Sequence, residues 1–288
     1  MSFTTVLVAN RGEIAVRLIR AVQKLGLRAV AVYSEADHEA LHVELADSAV
    51  AIGPALARDS YLDMDRILAA ARDSGAEAIH PGYGFLAENA EFARRCAAEG
   101  ITFIGPQAEL IARMGSKIEA KAAAVEAGVP VVPGYHGADQ SPGKLREEAQ
   151  RIGLPLLIKA SAGGGGRGMR RVDRLDRFEA ELEQAGQEAE AAFGDAAVLL
   201  ERYIETAAHV EVQVLGDRQG NLVHLFERDC SLQRNHQKLV EEAPAPGLSE
   251  TQRDGLLAAA LRLAGGIGYD SAGTVEFVLD RQSGEFFF

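Results

Sequence analysis

The chain has 288 residues, 47% hydrophobic and 25% charged, a balance typical of a soluble globular protein with one large or two smaller domains. Its 30 lysines and arginines against 42 aspartates and glutamates give a formal net charge of −12, which disfavours general binding to nucleic acid or to an anionic membrane. The spacing of Cys96 and Cys230 indicates neither a disulfide framework nor a zinc site. We find no signal peptide or membrane-spanning segment and expect a cytoplasmic protein.

The first 105 residues alternate between short apolar strands and amphipathic helices. Apolar residues recur every three or four positions from Ile14 to Leu25, which predicts a helix that Gly26 ends. Such β–α–β alternation favours a parallel sheet covered by helices. The predicted strands are 5–10, 28–34, 48–52, 78–80 and 102–105, and the later helices are 62–72 and 88–99.

Beyond Pro106 the pattern changes. Two short helical stretches lead into a linker rich in proline and glycine. A strand, a glycine run, a second strand and a long helix follow, and together they predict a small α+β unit. The predicted limits are 154–159, 163–168, 169–172 and 175–192.

The last third of the chain is dominated by longer strands. Polar residues alternate with valines from His209 to Val214, a period of two that places them on opposite faces of a strand. Residues 217–221 are typical of a turn, so 222–228 is predicted to pair antiparallel with that strand. The remaining predicted elements are a helix over 250–263 and a hairpin of 274–280 and 285–288. An apolar strand that stops at Phe288 without a polar tail indicates a truncated chain.

The glycine run is a candidate phosphate loop. Glycines let the backbone approach phosphate oxygens and point several amides at them, although a flexible hairpin tip would look similar. The run is neither a Walker loop nor a dinucleotide fingerprint, because no Gly-Lys-Ser/Thr follows and the next element is a strand. Lys159 ends the preceding strand and is placed to neutralise phosphate, while Lys117, at a helix start, is equally explained as a solvated lysine.

Two other features carry candidate chemistry. The stretch Glu227–Lys238 is rich in planar hydrogen-bonding side chains, which suit a small planar anion such as bicarbonate. A solvated charge run is the usual interpretation of such a stretch, but it explains this composition less well. Glu276 lies inside the apolar strand at 274–279, where a carboxylate needs a cation, a partner or water. It could hold Mg²⁺ together with phosphates, although spacing alone favours a solvated edge position.

Taken together, these motifs resemble the biotin carboxylase component of biotin-dependent carboxylases, an ATP-grasp family, over essentially the whole chain. The tract 134–141 is most similar to the α subunits of methylcrotonyl-CoA and geranyl-CoA carboxylases. The motifs are ANRGEIAVR (9–17), HPGYGFLAEN (80–89), FIGP (103–106), MGSK (114–117), AGVPVVPG (127–134), IKASAGGGGRGM (158–169), HVEVQV (209–214), ERDCSLQRNHQK (227–238), EEAPAPG (241–247) and AGTVEF (272–277).

The resemblance implies an α/β fold with a Rossmann-like N-terminal domain followed by an ATP-grasp domain that has a glycine-rich lid and is incomplete at its C-terminus. The implied limits are 1–113 for the first domain, 114–134 for a linker, 135–203 for the lid subdomain and 204–288 for the start of the ATP-grasp C-terminal domain.

The resemblance also implies a reaction. ATP, with Mg²⁺ or Mn²⁺, phosphorylates bicarbonate to carboxyphosphate, which carboxylates biotin as the first half-reaction of an acyl-CoA carboxylase. Biotin is carried on another domain or chain, so the implied partners are a biotin carboxyl carrier domain, a carboxyltransferase subunit and further copies of the chain, without nucleic acid or membrane.

The resemblance assigns roles residue by residue. Lys238 and His236 would be catalytic, Lys238 by holding bicarbonate or carboxyphosphate. Glu276 would hold the metal, and Tyr83 would lie on the biotin side of the cleft. The nucleotide-binding residues would be Lys117, Lys159, Gly165, Gly166 and Met169, the hinge Glu201, Arg202, Tyr203 and Ile204, and His209, Gln233, His236 and Glu276.

Departures from the family pattern leave alternatives. Asn235 stands where the family usually has a second arginine, and Ala162 replaces the first glycine of a five-glycine run. The second metal glutamate and the catalytic arginine of the family are absent, so a non-catalytic MgATP-binding fragment is an alternative. Another ATP-grasp ligase, related to carbamoyl phosphate synthetase, is a third, disfavoured by the Tyr83 motif and the 233–238 stretch.

Overall fold

The computed structural model describes residues 3–162, 168–234 and 237–288. The chain forms two compact units, Met1–Ala112 and Arg113–Phe288. Among the described residues, no helix is both long enough and apolar enough to cross a membrane.

The first unit is built on a parallel five-stranded sheet in the order β3-β2-β1-β4-β5. Every residue of the central strand β1 is buried, as expected for a parallel strand covered on both faces. The parallel sheet predicted from the sequence is therefore confirmed. Its elements are β1 (Thr5–Val8), α1 (Gly12–Lys24), β2 (Arg28–Tyr33), α2 (Leu41–Leu45), β3 (Ser48–Ala51), α3 (Met64–Ser74), β4 (Ala78–His80), α4 (Ala90–Ala98), β5 (Thr102–Phe103) and α5 (Ala108–Gly115).

Helix α1 buries most of the apolar residues that recur every three or four positions along it. Ile14, Leu18 and Val22 are buried against the sheet as predicted, and they belong to one of two apolar clusters in this unit. Leu25 is not part of that stripe. It is the C-cap residue and its side chain is 75% exposed, because the helix ends one residue earlier.

The second unit contains two antiparallel sheets. The smaller has the order β6-β9-β7-β8 and the larger β12-β11-β10-β13-β14. The elements are α6 (Lys117–Glu126), β6 (Gly134–Tyr135), α7 (Pro142–Ile152), β7 (Leu156–Ala160), β8 (Met169–Val172), α8 (Phe178–Phe193), β9 (Val198–Arg202), β10 (Ala207–Gly216), β11 (Leu222–Arg234), β12 (Gln237–Glu242), α9 (Glu250–Gly266), β13 (Ala272–Asp280) and β14 (Phe286–Phe287).

The two predicted hairpins are confirmed. Strand β11 pairs antiparallel with β10 across the turn at Asp217, whose carboxylate accepts hydrogen bonds from the backbone N–H groups of Gln219 and Asn221. Strand β14 pairs antiparallel with β13. One face of the larger sheet packs on α9, whose leucines and alanines form a common core with the valines of β10.

A β-bulge in β11 decides which side chains lie on the face of the sheet away from α9. Val214 pairs with His224 but Val212 pairs with Glu227, so β11 contains one residue more than its partner. Phe226 lies in this bulge with a φ of 63°, a left-handed conformation that is rare for a bulky residue. Beyond the bulge, Arg228 is placed opposite Glu211, on the face away from α9.

Five of the helices and strands were not predicted from the sequence: α2, β6, α7, β9 and β12. Helix α7 begins in the stretch rich in proline and glycine that precedes the strand predicted at 154–159, and Pro142 is tolerated in its first turn because that turn needs no donor. Strand β12 is mostly exposed, and its two apolar residues, Leu239 and Val240, are adjacent, so no apolar alternation marks it. It forms because its partner β11 continues past the predicted end at Arg228 to Arg234.

Replacing Gly134 with alanine should destabilise the second unit. Gly134 pairs with Glu201, and a Cβ there would meet the Leu200 carbonyl oxygen at 2.1 Å, a backbone atom that cannot move aside. We expect a loss of about 2 kcal/mol in the free energy of unfolding by urea. The matched control is Gly143→Ala in α7, where a Cβ has open space and the exchange should be neutral or stabilising. An unchanged urea midpoint for Gly134→Ala would contradict this account.

Candidate active site

An ionic cluster that we call the Glu201 cluster joins helix α6 to the smaller sheet of the second unit and is formed by Lys117, Lys121, Lys159 and Glu201. The Glu201 side chain is 6% exposed, and its Oε1 lies 2.7 Å from Nζ of Lys121. Its other oxygen, Oε2, pairs with Nζ of Lys159. Nζ of Lys117 donates to the carbonyl oxygens of Ala160 and Ala162, at 3.1 and 3.3 Å.

The electrostatics of this cluster favour an anionic ligand. Burial raises the pKa of Glu201, but Lys159 and Lys121 together bring it below its usual value, so the carboxylate is ionised. Burial and the neighbouring Lys159 lower the pKa of Lys117. Two lysines therefore pair with one carboxylate and a third interacts with it electrostatically, and a cluster with this excess of positive charge attracts anions.

The other predicted nucleotide-binding residues of this sheet lie close by. Met169 is paired directly opposite Lys159 across β7 and β8, so the two residues are neighbours in the sheet. In the expected hinge, the N–H groups of Arg202 and Tyr203 donate to the carbonyls of Pro133 and Pro155, at 2.8 and 3.1 Å. Ile204 follows directly. Gly165 and Gly166, like Arg167, lie outside the described residues.

The larger sheet carries a second group, the Glu276 cluster, formed by His209, Glu211, Arg228, Gln233, Lys238 and Glu276. Glu211 and Glu276 lie directly opposite each other on β10 and β13. Lys238 projects from β12 and bridges them: its Nζ lies 2.6 Å from Oε1 of Glu276 and also contacts Oε2 of Glu211. Strand β13 lies between two other strands of the sheet, and the Glu276 side chain, 52% exposed, is open to solvent on one side.

Hydrogen bonds orient His209 toward Glu276. The Gln233 amide nitrogen, which can only donate, lies 2.7 Å from Nδ1 of His209, so that nitrogen accepts. The other ring nitrogen, Nε2, lies 3.4 Å from Oε2 of Glu276. Hydrogen bonding by His209 and the charge of Lys238 lower the pKa of Glu276 to about 2 despite its partial burial.

Glu211 is the most deeply buried member of this cluster, with a side chain 1% exposed. It pairs with Lys238 on one oxygen and with Arg228 on the other, and Arg228 also lies 3.0 Å from Glu241. Burial lowers the pKa of Lys238, but its hydrogen bonds to Glu211 and Glu276 outweigh that effect, and the net shift is upward. The site thus holds one lysine ammonium, fully charged at neutral pH, between two carboxylates.

The ligand set of this cluster fits a divalent cation. His209, Glu211 and Glu276 each offer one ligand atom, and these atoms lie within 4.8 Å of one another. Glu276 is ionised and its side chain is 52% exposed, so it can reach a cation from the solvent side. Carboxylate oxygens are the ligands that Mg²⁺ prefers.

Sequence reasoning did not name Lys121, Glu211 or Arg228 as site residues. Glu211 could have been recognised because it shares the polar face of β10 with His209. Arg228 could not, because the bulge at Phe226 sets its face. Lys121 lies one helical turn after Lys117, a weak signal in a helix with many small residues. His236 and Asn235 lie outside the described residues.

In the first unit, Tyr83 lies on a loop with a constrained backbone. Gly82, Gly84 and Phe85 all have positive φ, of 69°, 67° and 43°. The Asn10 side-chain amide donates to the carbonyls of Pro81 and Tyr83, at 2.7 and 2.8 Å, and ties this loop to the end of β1. Tyr83 is 61% exposed, and its hydroxyl donates to the carboxylate of Glu13.

His80, which begins this loop, should make the first unit sensitive to acid. Its Nδ1 accepts from the Gly82 N–H at 3.1 Å, and burial together with Arg17 lowers its pKa from 6.5 to about 4. The folded state therefore binds this proton more weakly than the unfolded state. Stability present above pH 6.5 is lost as the pH falls toward 4, by about 2 kcal/mol between pH 7.5 and pH 5.

Urea unfolding of the wild type and of His80→Asn over this pH range measures the effect. The Asn side-chain oxygen can replace Nδ1 as the acceptor but does not titrate, so the variant should lose less stability between pH 7.5 and pH 5. Identical pH profiles for the two proteins would contradict the assignment.

The known families that match the chain divide it close to the boundary between its two compact units. Residues 2–111 match the family described as "Biotin carboxylase, N-terminal domain", and residues 116–288 match "Carbamoyl-phosphate synthase L chain, ATP binding domain". The fold and its structural neighbours make this an ATP-grasp protein. Within that class, the chain belongs to the biotin carboxylase family, with an ATP-binding domain of the carbamoyl-phosphate synthase L-chain type.

Curated relatives include the mitochondrial methylcrotonoyl-CoA carboxylase subunit alpha of Mus musculus, 54% identical over 286 residues. The match covers 99% of this chain and 40% of that protein. Biotin carboxylase 1 of Bacillus subtilis is 49% identical over 282 residues, which are 98% of this chain and 63% of that one. The chain therefore spans about two fifths of the methylcrotonoyl-CoA carboxylase subunits it matches.

Solved structures agree with the curated relatives. A biotin carboxylase–β-γ-ATP complex from Campylobacter jejuni superposes with a TM-score of 0.97 at 47% identity, covering all of this chain and 64% of that one. The biotin carboxylase domain of Hydrogenobacter thermophilus 2-oxoglutarate carboxylase, a dimer crystallised with MgADP, ADP and bicarbonate, gives a TM-score of 0.95 at 50% identity. It covers all of this chain and 63% of that one. The fold predicted from the motifs is thus confirmed.

Proposed function

We propose that this chain provides the ATP-dependent step of a biotin-dependent carboxylase. In this reaction ATP phosphorylates bicarbonate, and the resulting carboxyphosphate delivers CO₂ to N1 of biotin on a carrier. The observation that carries the proposal is the Glu276 cluster, in which Lys238 bridges two carboxylates beside His209 and Gln233. Family membership supports it, because relatives of the same family are named as biotin carboxylases.

The proposed nucleotide site uses both sheets of the second unit. Lys117 and Lys159 would contact the phosphates or the adenine edge, and the hinge Glu201–Ile204 would contact adenine. The excess positive charge of the Glu201 cluster supports this assignment. Further proposed nucleotide contacts are Met169, His209, Gln233 and, outside the described residues, Gly165, Gly166 and His236.

The catalytic work of these residues is positioning and charge neutralisation, as in other phosphoryl transfers. Lys238 would hold bicarbonate or carboxyphosphate by its charge, and His209 and Gln233 would orient the groups around it. Glu276 would hold Mg²⁺, which would neutralise charge on the phosphates. Tyr83 would contact the biotin side, and His236 is proposed as a second catalytic residue.

The wider assembly is also a proposal. A biotin carboxyl carrier domain and a carboxyltransferase would complete the reaction, and copies of the chain would associate. Solved relatives include "a complete multifunctional pyruvate carboxylase" and a biotin carboxylase domain dimer, which supports such an arrangement. In the second unit, residues 135–203 would form the lid and 204–288 the start of the ATP-grasp C-terminal domain.

Steady-state assays of the purified full-length protein test this function. We expect ADP release from MgATP that requires bicarbonate and rises when free biotin is added. ADP release that is independent of bicarbonate would contradict the proposal. Binding of MgADP without any turnover would instead support the non-catalytic alternative.

A further inference from the structure

Glu201 accepts from two lysines that reach it from different elements. Lys121 lies on α6 and Lys159 on β7, while Glu201 lies on β9. Each carboxylate oxygen has its own ammonium: Oε1 lies 2.7 Å from Nζ of Lys121, and Oε2 pairs with Nζ of Lys159. One lysine would be enough to neutralise the charge of Glu201, so the presence of the second lysine requires an explanation.

The two lysines differ in their access to solvent. The Lys121 side chain is 7% exposed and that of Lys159 is 24% exposed. Nζ of Lys121 also lies 3.4 Å from the Val132 carbonyl oxygen, so Lys121 is held from the protein side. Lys159 is on the accessible side of the carboxylate, next to the end of the strand that leads into the glycine run.

The charged groups around Glu201 all favour its ionised form. Burial lowers the pKa of Lys121, and Glu201 partly restores it. His136 also interacts with this pair. Burial and the charge of Lys121 lower the pKa of His136, so its ring is neutral at pH 7. Lys117 interacts electrostatically with both Lys159 and Glu201.

We propose that Lys121 is a positioning residue that keeps Glu201 neutralised. Because of this, the Lys159 ammonium can leave Glu201 and donate instead to an acceptor on a bound nucleotide. The inference rests on the proposed function, because it assigns Lys159 to that ligand. Removing one partner of a buried ion pair leaves an uncompensated charge, which is strongly unfavourable. If Lys159 were the sole counter-ion, ligand binding would incur that cost; with Lys121 present, it does not.

The test measures MgADP affinity by calorimetry on the purified full-length protein. Lys121→Met should weaken MgADP binding roughly tenfold or more, the effect of about one charge-assisted hydrogen bond. Lys121→Arg keeps the charge and should bind nearly as well as the wild type. Lys144→Met is the matched control, since Lys144 is a surface lysine of the same unit that pairs with Glu147 and Glu148.

A double variant separates positioning from a merely structural role. In Lys121→Met combined with Glu201→Gln, no buried carboxylate needs a counter-ion, so Lys159 is released and MgADP affinity should recover relative to Lys121→Met alone. A structural role predicts no recovery. If Lys121→Met does not fold, the double variant and Lys121→Arg are each compared with the wild type, and MgADP affinity weaker by roughly tenfold or more in either would overturn the role of Lys121.

The outcomes distinguish this inference from the proposed function. Wild-type protein that fails to bind MgADP would overturn the function itself. Wild-type binding with an equal affinity in folded Lys121→Met would overturn only the role of Lys121. A double variant no tighter than Lys121→Met would do the same.

Discussion

Replacing Lys238 with methionine should abolish bicarbonate-dependent ADP release while leaving MgADP affinity within a few-fold of the wild type. Lys238 is the ammonium between Glu211 and Glu276, and bicarbonate is its proposed ligand. Removing one electrostatic group of this kind lowers kcat by roughly 10²- to 10³-fold. The nucleotide is assigned chiefly to the Glu201 cluster on the smaller sheet, so its affinity should change little.

The fold should survive this substitution. Glu211 keeps Arg228 as its partner, and Glu276 is half exposed and keeps His209. The pKa of Glu276 should rise from about 2 toward its ordinary value, since Lys238 is one of the groups that lower it. Lys144→Met is again the control. An equal loss of MgADP affinity and turnover would contradict the assignment of Lys238 to bicarbonate.

Deleting Phe226 should unfold the second unit. Side chains alternate along a strand, so removing the extra residue of the bulge turns every later residue of β11 to the opposite face. Glu227, whose side chain is 0% exposed, would lose its ion pair with Arg253, now at 2.8 Å. The buried Glu211 would lose its ion pair with Arg228. Each broken buried pair costs about 3–5 kcal/mol, a sum comparable to the whole stability of a domain.

Phe226→Gly is the matched control for this deletion. Glycine keeps the residue count and adopts a φ of 63° without strain. The phenylalanine ring is 62% exposed and its ring contact is with His224, so little burial is lost. We expect a stability within about 1 kcal/mol of the wild type. Urea unfolding followed by circular dichroism measures both variants. A deletion variant with the wild-type midpoint would show that the register of β11 is not set by the bulge.

Much of the second unit was predictable because its signals are local. The alternation from His209 to Val214 places His209 and Glu211 on one face of β10, as a period of two requires. The turn at Asp217 and the hairpin ending at Phe287 depend on residues close in sequence. Motifs such as the one that ends at Lys238 also led to the family, which the comparisons confirm.

The sequence by itself therefore determined the parallel sheet, the two strand pairs joined by short turns and the biotin carboxylase family. Those features follow from periodicity, turn residues and contiguous motifs. The tertiary structure alone decided that Lys238 bridges Glu211 and Glu276, that Arg228 faces them, and that Lys121 neutralises Glu201. These contacts join residues far apart in the chain, and they depend on a bulge and on burial, neither of which leaves a periodic trace in the sequence.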